Sequence, residues 1–314
     1  MKSNGAVENL FWLDHSWYSK GVTQKEAEAF CRALARRHYE NFTVISFLLP
    51  RRLRQHFANV YAYCRVSDDL ADETGDPQRA LQFLDEWNEH LNLCYQGKAI
   101  HPVFVALGST IREFQIPRQP FEDLLTAFRQ DQTMSRYATW QELLDYCRNS
   151  ANPVGRLVLY LCGYRDNRRQ DLSDHTCTAL QLANFWQDVA RDYSRGRIYI
   201  PLEILERHGY SEEMLSRRLC NEAWVSTMRD VVQRTRPLFM NGLQLCNLIE
   251  GRIRFDIELF SRGGLEILRA IEAIGYDTLH HRPVLTAWRE IRSIASCLLR
   301  NIRPGGRGQK KGHG

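Results

Sequence analysis

Long apolar runs are absent from this chain of 314 residues. A membrane-spanning helix needs about 18 or more consecutive apolar residues, so none is expected. The first ten residues, Met-Lys-Ser-Asn-Gly-Ala-Val-Glu-Asn-Leu, lack the apolar core of a secretory signal. Nine cysteines are present, but none stands in a C-x-x-C pair. That speaks against a zinc site or a disulfide framework and suits a reducing cytoplasm. No Gly-x-Gly-x-x-Gly fingerprint follows a strand-like run, so no NADPH site is expected. No interior linker rich in Pro, Gly and Ser divides the chain, and no repeat of fixed period is found. Charge of one sign is scarce too: 42 basic residues face 37 acidic ones, a net +5. The two signs are interleaved, which argues against a nucleic-acid partner.

What is present reads as helix almost throughout. Hydrophobic content of 44% and charged content of 25% are those of a globular protein. Thr23 caps a segment whose first turn carries acids, as the helix dipole favours. Pro50 opens a second segment reaching Asp72, since proline fits the first turn of a helix. Further helices are predicted near 78–96, 102–115, 120–132, 139–149, 153–163, 171–194, 221–250, 256–274 and 284–300. Breaks fall at Gly75-Asp-Pro77, Ile116-Pro117, Gly163, Gly196 and His280-His-Arg-Pro283. The one strand-like run, Ile198-Tyr-Ile200, is short and meets Pro201. The reading is an all-α chain with one helical domain over 1–300. Residues 301–314 form a basic, Gly-rich tail that is expected to be disordered. The tail is read first as solvated. It also leaves room for peripheral contact with the inner membrane surface, at about 1 kcal/mol per basic residue near the lipid.

Two aspartate pairs carry the chemistry. Asp68 and Asp72 lie in Tyr61-Ala-Tyr-Cys-Arg65-Val-Ser-Asp68-Asp69-Leu-Ala-Asp72-Glu73. Asp188 and Asp192 lie in Gln181-Leu-Ala-Asn184-Phe-Trp-Gln187-Asp188-Val-Ala-Arg-Asp192. Residues four apart share a helix face, and two like charges there are mildly unfavourable. Two such pairs in apolar surroundings imply facing carboxylates that bind a cation. Magnesium prefers oxygen ligands and usually keeps waters or substrate phosphates besides. A magnesium–diphosphate site between helices follows. Arg65 shares the face of Asp68 and either pairs with the carboxylates or grips a phosphate oxygen. Tyr61 lies one turn before it. Gln181 and Asn184 extend the second stripe with amides.

Together these segments resemble the head-to-head prenyl synthases, the squalene, dehydrosqualene and phytoene synthases, from about Trp17 to Arg300. His38-Tyr-Glu-Asn41-Phe42 resembles the family's N-terminal substrate segment. Tyr146-Cys-Arg-Asn-Ser-Ala151-Asn-Pro-Val154-Gly155 resembles its central helix break along the prenyl tunnel. Arg195-Gly-Arg197-Ile-Tyr199-Ile-Pro201 resembles the stretch after the second motif, and Tyr276 a late pocket tyrosine. The resemblance implies an isoprenoid-synthase helical bundle with a central active-site cavity. It implies Asp68, Asp72, Asp188, Asp192 and Tyr276 as catalytic. Magnesium would be held by Asp68, Asp72, Asn184, Asp188 and Asp192. Substrate would meet His38, Asn41, Phe42, Tyr61, Arg65, Tyr146, Ala151, Val154, Gln181 and Asn184.

Within that family the chain is most similar to the bacterial hydroxysqualene synthases. Family members that join two prenyl diphosphates commonly place arginine immediately before the second motif, and here Gln187 stands there. A neutral residue suits a substrate with a single diphosphate, presqualene diphosphate. Ionisation, rearrangement of the cyclopropylcarbinyl cation and capture by water would give hydroxysqualene and diphosphate, without a hydride. Aromatic faces stabilise such cations by about 0.5–2 kcal/mol each, and Phe42, Tyr146, Phe260 and Tyr276 are the candidates. A presqualene diphosphate synthase and a hydroxysqualene reductase are the functional partners this implies. Presqualene diphosphate or phytoene synthesis is the alternative. A non-catalytic assembly factor of the same fold is a remoter one, disfavoured by the presence of all four aspartates.

Overall fold

The structure is a computed structural model that describes residues 21–37 and 50–283. The expected helix at 284–300, the tail at 301–314 and the candidates His38, Asn41 and Phe42 lie outside the described residues. Twelve helices are found among those described. In chain order these are α1 Gln24–Arg37, α2 Arg54–Asp72, α3 Pro77–Tyr95 and α4 Pro102–Phe114. Then come α5 Gln119–Gln130, α6 Trp140–Ser150, α7 Asn152–Leu161 and α8 Asn167–Ser194. The short α9 Leu202–Arg207 and α10 Glu212–Ser216 precede α11 Glu222–Gly242, a 3-10 turn Leu243–Asn247 and α12 Arg252–Ala273.

Local chemistry sets the helix starts. Thr23 and Glu26 form a reciprocal capping box, with Thr23 N–H donating to Glu26 at 2.9 Å and Glu26 N–H to Thr23 Oγ at 3.3 Å. Asp76, Thr139, Asp166, Ser211 and Asn221 cap α3, α6, α8, α10 and α11 through side-chain oxygens. Pro77 and Pro102 sit in first turns, where a missing N–H leaves nothing unsatisfied. The second helix begins later than expected. Pro50 opens a turn, closed by Leu53 N–H on its carbonyl at 2.9 Å, and regular helix starts at Arg54. The predicted helix over 221–250 is interrupted, passing at Leu243 into the 3-10 turn. The short α9 and α10 were not legible in advance, because five or six residues carry too little periodicity. Ile198-Tyr-Ile200 forms no strand. Its one pairing is a parallel bridge between Ile198 and Arg136.

The core divides around the two helices that carry the aspartates. Phe57, Tyr63, Val66 and Leu70 of α2 bury their side chains among α1, α3, α4, α5 and Leu157 and Leu161 of α7. Leu182, Phe185, Trp186 and Val189 of α8 do the same among α6, α9, α11 and α12. Trp186 is fully buried and donates its indole N–H to Thr235 Oγ at 2.8 Å. Each fully buried residue of this size contributes about 1.5–3 kcal/mol relative to exposure. So both motif helices are rigid supports for the polar residues on their other faces. Gly155 lies on α7 against α8, where a β-carbon would stand closer than 3.0 Å to Ser173 Oγ and Cys177 Sγ. Glycine is therefore required there for close helix packing. The chain break that the sequence placed around it lies at Ala151, between α6 and α7.

Candidate active site

Asp68 and Asp72 stand one turn apart at the end of α2, with side chains 46% and 49% exposed. Asp69 between them is turned inward and buried. Arg65 forks across this turn, reaching Asp68 at 3.3 Å, Asp69, and Glu73 at 3.7 Å. Of the two readings of Arg65, pairing within its own helix is the one seen here. Burial, then repulsion from Asp72, raises the Asp68 carboxyl above its ordinary value, with Arg65 opposing. Burial pushes Asp69 up to about 7 in spite of Arg65. Tyr61, half-buried, lies one turn before Arg65.

The second pair sits where α8 bends. Asp188 leaves helical geometry, with φ −107° and ψ 15°. Its carboxylate receives a bidentate grip from Arg282, at 2.7 and 2.9 Å, and Arg191 approaches to 3.3 Å. Asp192 is raised to about 6, first by burial and then by repulsion from Asp188, with Arg195, Arg197 and Arg191 opposing. Asn184 is exposed and Gln181 half-buried on the same helix.

Arg197 joins the two motifs. Its guanidinium stands 3.5 Å from Asp72 and acts on Asp68, Asp131 and Asp192 through charge. Burial disfavours its charge, but Tyr199, Asp131, Asp72 and Tyr146 outweigh that and hold it firmly protonated. Asp131, at the C-terminal end of α5, belongs to the same group. Burial lifts it to about 6, Arg197 and the Tyr146 hydroxyl oppose, and Asp72 and Asp68 add repulsion. Tyr146 donates to Asp131 Oδ2 at 3.1 Å, while Asp131 Oδ1 is buried without a hydrogen-bond partner. Beneath lies an aromatic stack in which Phe185 and Tyr199 are parallel at 3.7 Å, with Tyr137 and Tyr146 at 5.8 and 6.0 Å from Tyr199.

Other expected residues are placed differently. Gln187, read as lying beside a diphosphate, is buried and donates its amide to the Pro283 carbonyl. Arg282 and Arg191 supply the positive charge next to Asp188 instead. The Tyr276 ring lies 5.6 Å from the Arg229 guanidinium, and its carbonyl accepts from Trp224 Nε1 at 2.9 Å. Those contacts tie Tyr276 to α11 and include none of the four motif aspartates. Ala151 is buried at the α6–α7 junction, and Val154 is 45% exposed. Asp131, Arg197, Tyr199, Phe185 and Arg282 were missed as site residues. Arg197 and Tyr199 lay within a segment already singled out, but Asp131 and Arg282 had no sequence signal beyond being charged.

The donor set suits a hard divalent cation shared with a substrate. Among the described residues no three acidic, His or Cys side chains converge on one point. There are instead two carboxylate pairs, each with a member pushed toward protonation in part by its neighbour's charge. A cation would relieve that repulsion. Magnesium binds through one or two carboxylates plus phosphate oxygens and waters.

A family model described as squalene/phytoene synthase matches residues 35–289. A hydroxysqualene synthase from Rhodopseudomonas palustris is 32% identical over 250 residues, 78% of this chain and 84% of that protein. A phytoene synthase from Arthrospira platensis is 30% identical over 292 residues, 89% of this chain and 94% of that protein. The crystal structure of squalene synthase HpnC from Alicyclobacillus acidocaldarius superposes with a TM-score of 0.77 at 43% identity. It covers 83% of this chain and 98% of that one. A dehydrosqualene synthase, at 24% identity and a TM-score of 0.78, shares the fold, covering 88% of this chain and 97% of its own. The helices, the two aspartate pairs linked by Arg197 and these matches agree, and the chain belongs to the squalene/phytoene synthase family.

Proposed function

We propose that the protein is a hydroxysqualene synthase that ionises presqualene diphosphate and captures the rearranged cation with water. The observation that carries this reading is the similarity to the Rhodopseudomonas palustris hydroxysqualene synthase, 32% identical over 78% of this chain. Gln187 is buried against the Pro283 carbonyl and brings no charge of its own to the second motif.

In this reading Asp68, Asp72, Asp188 and Asp192, with the Asn184 amide, would hold magnesium. Magnesium supplies Lewis-acid neutralisation of the diphosphate leaving group. Arg197, and Arg282 once drawn from Asp188, add fixed positive charge where negative charge develops. The Tyr137, Tyr146, Phe185 and Tyr199 rings present faces to the cation. They also exclude stray water. Asp131 Oδ1 is the acceptor for the proton released on capture. It is free of other hydrogen bonds, and its raised value of about 6 suits a base working near neutral pH. The Tyr146 hydroxyl holds the other oxygen in place.

The test gives purified protein either presqualene diphosphate or farnesyl diphosphate, with magnesium, with and without NADPH. Hydroxysqualene from presqualene diphosphate, indifferent to NADPH, is the expected product. Efficient condensation of farnesyl diphosphate with presqualene diphosphate accumulating would instead establish a presqualene diphosphate synthase. The similarity to the Arthrospira platensis phytoene synthase favours the alternative of presqualene diphosphate or phytoene synthesis.

A further inference from the structure

Two loops that carry residues of the site, 131–139 and 195–201, run side by side. Their backbones are joined by hydrogen bonds: Ile198 N–H to the Ser135 carbonyl at 2.9 Å, and Leu202 N–H to Tyr137 at 2.9 Å. Arg136 lies at the centre of this seam, bridged to Ile198. Its Nη1 donates to the Gly196 carbonyl at 2.6 Å and to the Ser135 carbonyl at 2.9 Å. Its Nε and Nη2 grip Glu212 at 3.3 and 2.7 Å. Glu212 opens α10, whose start is fixed by Ser211 accepting from Met214 N–H at 3.2 Å. Gly196 has φ +80°, a conformation that a β-carbon disfavours. It immediately precedes Arg197, the cation between the two aspartate motifs.

We propose that Arg136 is a positioning residue for the diphosphate site. Clamped between Glu212 and the Gly196 carbonyl, its guanidinium fixes the turn that aims Arg197 at Asp72, Asp131 and Asp192. The proposal rests on reading Arg197 as part of the site. Arg136 acts through Arg197; its own side chain bonds Glu212, Gly196 and Ser135. Its pair with Glu212 is open to solvent on the glutamate side, with Arg136 28% and Glu212 50% exposed. Exposed ion pairs add little to global stability. The fork geometry, which serves two acceptors at once, is what lysine cannot reproduce.

The experiment compares wild type with Arg136→Ala, Arg136→Lys, Glu212→Gln, Arg197→Gln and the Arg136→Ala/Arg197→Gln double variant. Amide hydrogen exchange over 195–200 is followed in the protein without ligand. Binding of inorganic pyrophosphate with magnesium is followed by calorimetry. Arg136→Ala should keep a melting temperature close to wild type while Ile198 N–H exchanges about tenfold faster. Pyrophosphate affinity should fall about tenfold, with Arg136→Lys and Glu212→Gln intermediate. The double variant should bind no more weakly than Arg197→Gln alone, because a residue that acts through another adds nothing once that other is gone. Unchanged exchange at Ile198 in Arg136→Ala would overturn the proposal. So would losses that multiply in the double variant. If Arg136→Ala fails to fold, Arg136→Lys and Glu212→Gln carry the same comparison. Neither readout uses a prenyl substrate, so an error in the assigned substrate leaves the test standing.

Discussion

Replacing Arg197 with glutamine should destabilise the protein in a way that depends on pH. Arg197 stands 3.5 Å from Asp72, with side chains 26% and 49% exposed. At an effective dielectric of about 20, two unit charges so placed attract by about 5 kcal/mol. Solvent screening of the half-exposed pair reduces that, and desolvation of the guanidinium offsets more. Asp131 also loses the cation that opposes its burial, and Asp192 loses one of three. A net loss of about 1–3 kcal/mol results, or roughly 2–6 °C in melting temperature for a domain of this size. The pH dependence follows from linkage. Asp131 and Asp192 both sit near 6, above their unfolded value of 3.8, and Arg197 lowers each. A carboxylate raised by folding binds more protons in the folded state. Its stability contribution is intact below the unfolded value and declines as pH rises through the folded one. Removing Arg197 lifts both further, so the part of the deficit due to Asp131 and Asp192 is absent at low pH and the total deficit should grow from pH 4.5 to pH 8. Melting curves of wild type and Arg197→Gln from pH 4.5 to 8 measure this directly. A deficit of constant size across that range would refute the charge-bridge account, as would none at all.

Further outcomes test other parts of the site. Alanine at Asp68, Asp72, Asp188 or Asp192 should each lower kcat/KM by about 2–4 kcal/mol, the scale for one preorganised charge. Activity should vanish with EDTA and return with magnesium; full activity in EDTA would contradict the assignment. Tyr146→Phe removes the hydroxyl that lowers Asp131. The acid limb of the pH–rate profile should therefore move to higher pH. Gly155→Ala should cost about 1–3 kcal/mol by denaturant titration, because the added methyl meets Ser173 and Cys177. Gln187→Arg should loosen the 277–283 segment, since arginine in the space of Gln187 displaces the hydrogen bond to Pro283. Faster amide exchange at 279–282 would report it.

The sequence by itself determined the helices and the chemical theme. Periodicity, caps and prolines act within one turn, so Thr23 and the break at Gly75-Asp-Pro77 marked the starts of their helices. The i,i+4 aspartates were legible because that spacing alone places two carboxylates on one face. The resemblance carried by those motifs pointed to the family the comparisons confirm. Tertiary structure decided which charges meet. Asp131 was invisible as a site residue because its neighbours Arg197, Tyr146 and Asp72 are distant in sequence and come together only when α2, α5, α6 and the loop after α8 pack. Arg282 reaches Asp188 from the segment that follows α12, for the same reason. Gln187 shows the converse. Its position beside Asp188 was plain from the sequence, but one residue along a helix is a turn of about 100°, and that rotation buried its amide against Pro283.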